Sequence, residues 1–207
     1  MRLNWFSPLP PAPTGAAGWA AHVLPVLCAR ADVVLWTDQD DWELPPGLTA
    51  AVRRFRPDAV PWAEVQRADL SVYHLVGDPR WCGAIGRVSR EHPGVVVLYE
   101  HDPGAVAATE GALGVLVHTR AGHDTLRTAA QWPLAYQPLD PSPAPESYVE
   151  ALLRLCEEAR RRRTRPVARY LAGRAAAEVG LWAERGAAWM SEQVARPVVR
   201  LTAAGTE

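Results

Sequence analysis

Short apolar runs rich in β-branched residues, set among segments of helical periodicity, constrain this chain more than any other feature. Asp32–Thr37 (DVVLWT), Asp69–Leu75 (DLSVYHL), Val95–Tyr99 (VVVLY) and Ala112–Thr119 (ALGVLVHT) have the near-continuous apolar character of strands covered on both faces. Leu3–Ser7 predicts a first strand and Leu134–Leu139 a last one. Between them, Trp19–Arg30 carries Trp19, Val23, Leu24, Leu27 and Cys28 on one helical face. Trp62–Arg67, Trp81–Glu91 and Ala121–Ala130 also read as helices, while Ala50–Arg54 fits a short strand or a turn of helix. The alternation predicts an α/β fold: a single Rossmann-like domain with a mostly parallel sheet and helices on both faces.

The chain of 207 residues is 48% hydrophobic, enough for one domain with a sizeable core. Residues 1–139 are assigned to that domain, and the proline-dense stretch Pro138–Pro145 (PLDPSPAP) marks residues 140–147 as a linker without regular structure. Two C-terminal helices follow over 148–195 and are expected to pack back on the domain. The first carries Leu152, Leu153, Leu155, Cys156 and Ala159; the second opens near Pro166; residues 196–207 are expected to form a tail.

Several function classes recede on composition. The formal net charge is −1 and all 22 basic residues are arginine, so no general electrostatic pull toward nucleic acid exists. Three cysteines, Cys28, Cys82 and Cys156, lack the spacing of a disulfide framework or a zinc site. Proline arrives too early in MRLNWFSPLPPAP for a secretory leader, and no apolar run reaches membrane-spanning length. A reducing, cytoplasmic location is therefore expected, with no cofactor and no metal.

Parallel sheets of this kind bind ligands beyond the carboxyl ends of their strands. Loops 8–18, 75–80, 99–104 and 119–123 should share that rim. Thr14, Gly15 and Gly18 join the first strand to the first helix, either as a tight turn or as backbone facing an anion. Asp38 is the nearest acidic residue after the second strand. Glu100, His101 and Asp102 follow VVVLY, either as a polar loop or as the source of a general base. His74, Gly77 and His118 lie near strand ends, as ligand contacts or as hydrogen-bonded wall residues; His123 lies near the last rim loop. Trp42 and Trp81 are placed for sugar stacking, Trp5 and Trp36 for the core.

RLNWFSPLPPAPTGAAGWAAHVLPVL, ADVVLWT, RADLSVYHLVGDP and HPGVVVLYE together resemble the start of bacterial GT-B glycosyltransferases of the retaining, glycogen-synthase-like type. The resemblance covers about residues 1–139, and implies the acceptor-side Rossmann domain of such an enzyme. In that family a second Rossmann domain holds the nucleotide sugar. Here the segment between Leu139 and Tyr148 has no room for one, which needs on the order of 100 residues. Tyr99-Glu100 stand where the family has His-Asp, with His101-Asp102 following one position later. Gly15-Ala16-Ala17-Gly18-Trp19 lacks the acidic residue of the family's run, and segment 103–111 is short. Glu150 and Glu158 have the family's E-x7-E spacing but lie within one helical stretch, as two exposed glutamates.

The resemblance implies a reduced glycosyltransferase-like protein, non-catalytic, that binds an acceptor glycan or a protein partner. The partner would be a second copy or another glycosyltransferase, covering the face that once met the missing half. The alternative is an enzyme acting alone or in a split site, with a base from Glu100, His101 or Asp102. A nucleotide- or phosphate-binding regulator is a third reading, resting on fold analogy.

Overall fold

β1 (Arg2–Phe6), α1 (Gly15–Cys28), β2 (Asp32–Thr37) and β3 (Ala51–Arg54) open a β–α series. It continues through α2 (Trp62–Val65), β4 (Leu70–Leu75), α3 (Pro79–Glu91), β5 (Val95–Leu98), β6 (Gly114–Val117), α4 (Arg120–Ala129) and β7 (Leu134–Tyr136). A helix over residues 145–163, α5, follows. The computed structural model describes residues 1–100, 107, 109–139 and 144–163. The seven strands form one sheet in the order β3-β2-β1-β4-β5-β6-β7. Every pairing is parallel.

The near-continuous apolar runs have the explanation expected of them: both faces of the sheet are covered. Successive residues of a strand point to opposite faces. On one face, Leu3, Trp5, Val33, Leu35, Leu70, Val72, Val95, Val97 and Leu116 meet α1 and α5. On the other, Phe6, Val34, Trp36, Tyr73, Val96, Val115 and Val117 meet α2, α3 and α4. A buried polar residue of β1, Asn4, is fully used. Its Nδ2 donates to the Val65 carbonyl at 2.7 Å and to Ser71 Oγ at 3.1 Å, and its Oδ1 accepts from Trp36 Nε1 at 2.8 Å.

Three helices start at the carboxyl rim with a side-chain cap. Thr14 Oγ1 accepts from the Ala17 amide at 3.1 Å, Asp78 Oδ1 from the Arg80 amide at 2.9 Å, and Thr119 Oγ1 from the Gly122 amide at 3.1 Å. At the opposite end of β5, Gly94 is required by packing. A Cβ there would lie 2.2 Å from the Ser71 carbonyl oxygen and 2.8 Å from the Tyr73 ring.

The Rossmann-like α/β fold is as expected, and the sheet is wholly parallel. Ala50–Arg54 resolves to a strand at one sheet edge. The linker expectation needs correction: α5 begins at residue 145, so the last three residues assigned to 140–147 are helical. Proline at a first helical position loses no intrahelical hydrogen bond, which is why Pro145 starts the helix rather than excluding it. Tyr148, Val149, Leu152, Leu155, Cys156 and Ala159 of α5 join the α1-side core. The second C-terminal helix and the 196–207 tail lie outside the described residues. Among those described, no helix is long and apolar enough to cross a membrane.

Candidate functional site

The strand order reverses between β1 and β4, where the chain leaves the sheet to opposite faces. Such a switch point opens a crevice at the carboxyl ends. A groove of about 380 Å³ occupies this rim, lined by Pro11, Ala12, Asp38, Gln39, Asp40, Asp41, Arg80 and Trp81. Gln39 fixes its walls. Its Oε1 accepts from the Leu9 amide at 2.7 Å and from Thr37 Oγ1 at 2.9 Å, while its Nε2 donates to the Leu9 carbonyl at 3.0 Å. The loop after β1 is thereby tied to the loop after β2. Across the groove, Arg80 and Trp81 sit in the first turn of α3.

The groove is acidic. Asp38, Asp40 and Asp41 face a single guanidinium, that of Arg80, whose Nη2 is engaged by Asp78 at 2.8 Å. Asp40 is paired with Arg54 of β3. Burial raises the Asp38 pKa above the usual carboxylate range, opposed by a backbone hydrogen bond and by Arg54. Cys82 marks how closely the acids gather. Burial pushes its thiol up to about 11, with further pressure from Asp38, Asp78 and Glu100. That thiol is structural: it accepts from the Val76 amide at 2.9 Å and donates to the Val76 carbonyl at 3.1 Å.

A second polar cluster lies beneath the rim on the α1 side. Rings meet in a chain of centroid distances: Trp5 to His74 at 3.9 Å, His74 to Tyr99 at 5.9 Å, Tyr99 to His118 at 4.6 Å, His118 to Tyr148 at 5.7 Å, and Tyr148 to Trp19, edge-on, at 5.3 Å. His74 Nδ1 is 2.9 Å from the Tyr99 hydroxyl, and His118 Nδ1 is 2.6 Å from the Gln137 carbonyl. Burial holds the His118 pKa down to about 4, and that of His74 well below its ordinary value. Both rings are neutral at pH 7.

The residues singled out from sequence therefore part company. His74 and His118 meet in the buried chain, joined through Tyr99, and act as walls rather than as contacts in the open groove. Gly15 lies beside the same chain, where a Cβ would stand 3.9 Å from the Tyr99 ring. Thr14 caps α1, and the Gly18 amide donates to the Thr14 carbonyl at 3.1 Å. Gly18 is thus spent on the first helical turn and is not free to face an anion. Gly77 is exposed in the bend before the Asp78 cap. Glu100 is exposed at the end of β5, while His101 and Asp102 lie outside the described residues. His123 Nδ1 lies 3.4 Å from Asp124 Oδ1, and its ring centroid 5.7 Å from that of Tyr136. Trp5 and Trp36 are core residues as expected, at 0% and 1% exposure. Trp81 lines the groove, whereas Trp42 packs half-buried against the α1-side core.

Asp40, Asp41 and Arg80 had no mark in the sequence beyond surface charge. Their one signal is position: Asp38-Gln39-Asp40-Asp41 directly follows the carboxyl end of β2. Tyr148 had no mark beyond its place at the start of the first C-terminal helix. Among the described residues, no group of three or more His, Cys, Asp or Glu could hold a metal ion. No protein-family model and no curated protein matches the chain. Fold and site define its class as a Rossmann-like α/β domain with an acidic, tryptophan-flanked groove at the switch point.

Proposed function

We propose that this chain is a non-catalytic, glycosyltransferase-like domain that binds an uncharged polyhydroxyl acceptor, a glycan, in the switch-point groove. The composition of the groove carries this reading. Carboxylates accept hydrogen bonds from sugar hydroxyls, and the Trp81 indole offers an apolar face to a pyranose ring. The same carboxylates oppose a nucleotide diphosphate, because Arg80, the one cation among the described residues lining the groove, is already paired with Asp78. The Gly15–Gly18 turn adds little anion affinity once Thr14 holds the Ala17 amide and the helix holds that of Gly18.

Calorimetric titration of the full chain separates the possibilities. A panel of neutral oligosaccharides is compared with UDP-, GDP- and ADP-sugars. Saturable binding is expected from at least one oligosaccharide, with at least a tenfold loss, about 1.4 kcal/mol, in Trp81→Ala and in Asp38→Asn. Saturable binding of nucleotide sugars alone overturns the proposal. Turnover of a nucleotide sugar that disappears in His101→Ala favours the enzymatic reading instead.

A further inference from the structure

The buried aromatic chain has an unmet requirement of its own. Trp5 Nε1, Trp19 Nε1, His74 Nε2, His118 Nε2 and the Tyr148 hydroxyl are all buried without a hydrogen-bond partner. These five atoms belong to one run of touching rings. The Trp19 N–H is close enough to Tyr148 to favour its phenolate, yet the two do not meet hydrogen-bond geometry. Outside this run, His92 Nε2 is the one other buried side-chain nitrogen or oxygen without a partner among the described residues. Asn4 makes three hydrogen bonds, the Tyr73 hydroxyl donates to the His92 carbonyl at 2.5 Å, and Ser89 Oγ donates to the Gly86 carbonyl at 2.9 Å. Five orphaned polar groups along one run of rings would weigh heavily on a marginally stable domain.

We infer that the carboxyl ends of β1, β4, β5 and β6, roofed by α1 and α5, enclose an internal hydration site. Ordered water there bridges the Tyr148 hydroxyl, the Trp19 indole N–H and His118 Nε2. The donor and acceptor inventory selects this occupant. An indole N–H can only donate, so the occupant must accept from Trp5 or Trp19. His118 Nδ1 faces a carbonyl and must carry the ring proton, which leaves Nε2 as an acceptor, so the occupant must also donate. A fully deprotonated anion cannot donate and a metal cation cannot accept, and no charged side chain belongs to this run of rings. Water meets both demands. Through it, Trp19 of α1 and Tyr148 of α5 are hydrogen-bonded to the strand ends. This inference is independent of what the open groove binds.

The test is cross-relaxation between water and the indole N–H protons in NMR spectra of the full chain. Trp5→Phe and Trp19→Phe assign the two signals. A long-lived water contact at either indole is expected. Tyr148→Phe, which removes one bridged group, is expected to lower Tm by roughly 2–4 °C. Absence of a water contact at both indoles overturns the inference, as does contact with a co-purifying organic molecule in place of water. A Tyr148→Phe protein that melts above the parent also overturns it, because that gain means the hydroxyl was buried dry. If the variant fails to fold, the spectra of the parent chain decide the matter alone.

Discussion

At the scale of single residues, His118 links the fold to pH. Folded, its ring is buried and neutral, with a pKa held down to about 4. In the unfolded chain it returns to about 6.5. As pH falls, the unfolded state takes up the proton first. The contribution of neutral His118 is therefore complete above about pH 6.5 and is lost progressively down to about pH 4. The loss is on the order of 3 kcal/mol for this residue alone. His74, held well below its ordinary value by burial and by the neighbouring His118, acts in the same direction. Urea unfolding at pH 8, 6 and 5 should show a falling midpoint, and an unchanged midpoint would contradict the assignment. Gly94 is the other decisive single residue. Gly94→Ala forces a methyl onto the Ser71 backbone, where no side-chain rotation relieves the clash. The expected cost is about 1–3 kcal/mol, read as a lowered urea midpoint with an unchanged slope.

At the scale of elements, α5 does more than follow a linker. It completes one whole face of the sheet. Leu152 is 0% exposed, and Leu155 lies against Gly114 of β6, where a Cβ would already be 3.1 Å from the leucine Cδ1. Leu152→Ala should cost about 2–5 kcal/mol, measured by denaturant unfolding, because a closely packed helix–sheet seam refills a cavity poorly. A cost below about 1 kcal/mol would mean that α5 is peripheral. The periodicity of Leu152, Leu155, Cys156 and Ala159 announced this helix, since apolar residues three and four apart must face one surface. Its start was obscured by proline. PLDPSPAP suggests irregular chain throughout, yet its final proline occupies the one helical turn that tolerates it.

At the scale of the whole molecule, the groove's field is assembled from four separate stretches: the β1 loop, the β2 loop, the first turn of α3, and Arg54 at the edge of the sheet. Binding of a neutral glycan to it should be nearly indifferent to salt between 50 and about 300 mM, since no ion pair forms with the ligand. A steep salt dependence in the same calorimetric titrations would instead indicate a charged ligand. The sheet itself was legible at the sequence level, because continuous β-branched runs such as VVVL, separated by helical periods, have few other ways to hide both faces. So was the rim, since carboxyl ends collect the loops of any parallel sheet. Which rim residues share a cleft was not legible. Asp38, Asp41 and Trp81 are brought together by the crossing of the chain between β1 and β4, and His74, Tyr99, His118 and Tyr148 by strand order and by the return of α5. Local sequence determines which residues point inward along a strand or helix, because that depends on a period of two or 3.6 residues. Tertiary structure alone decides which inward residues meet, because partners such as His118 and Tyr148 belong to different elements and are joined only when the layers pack.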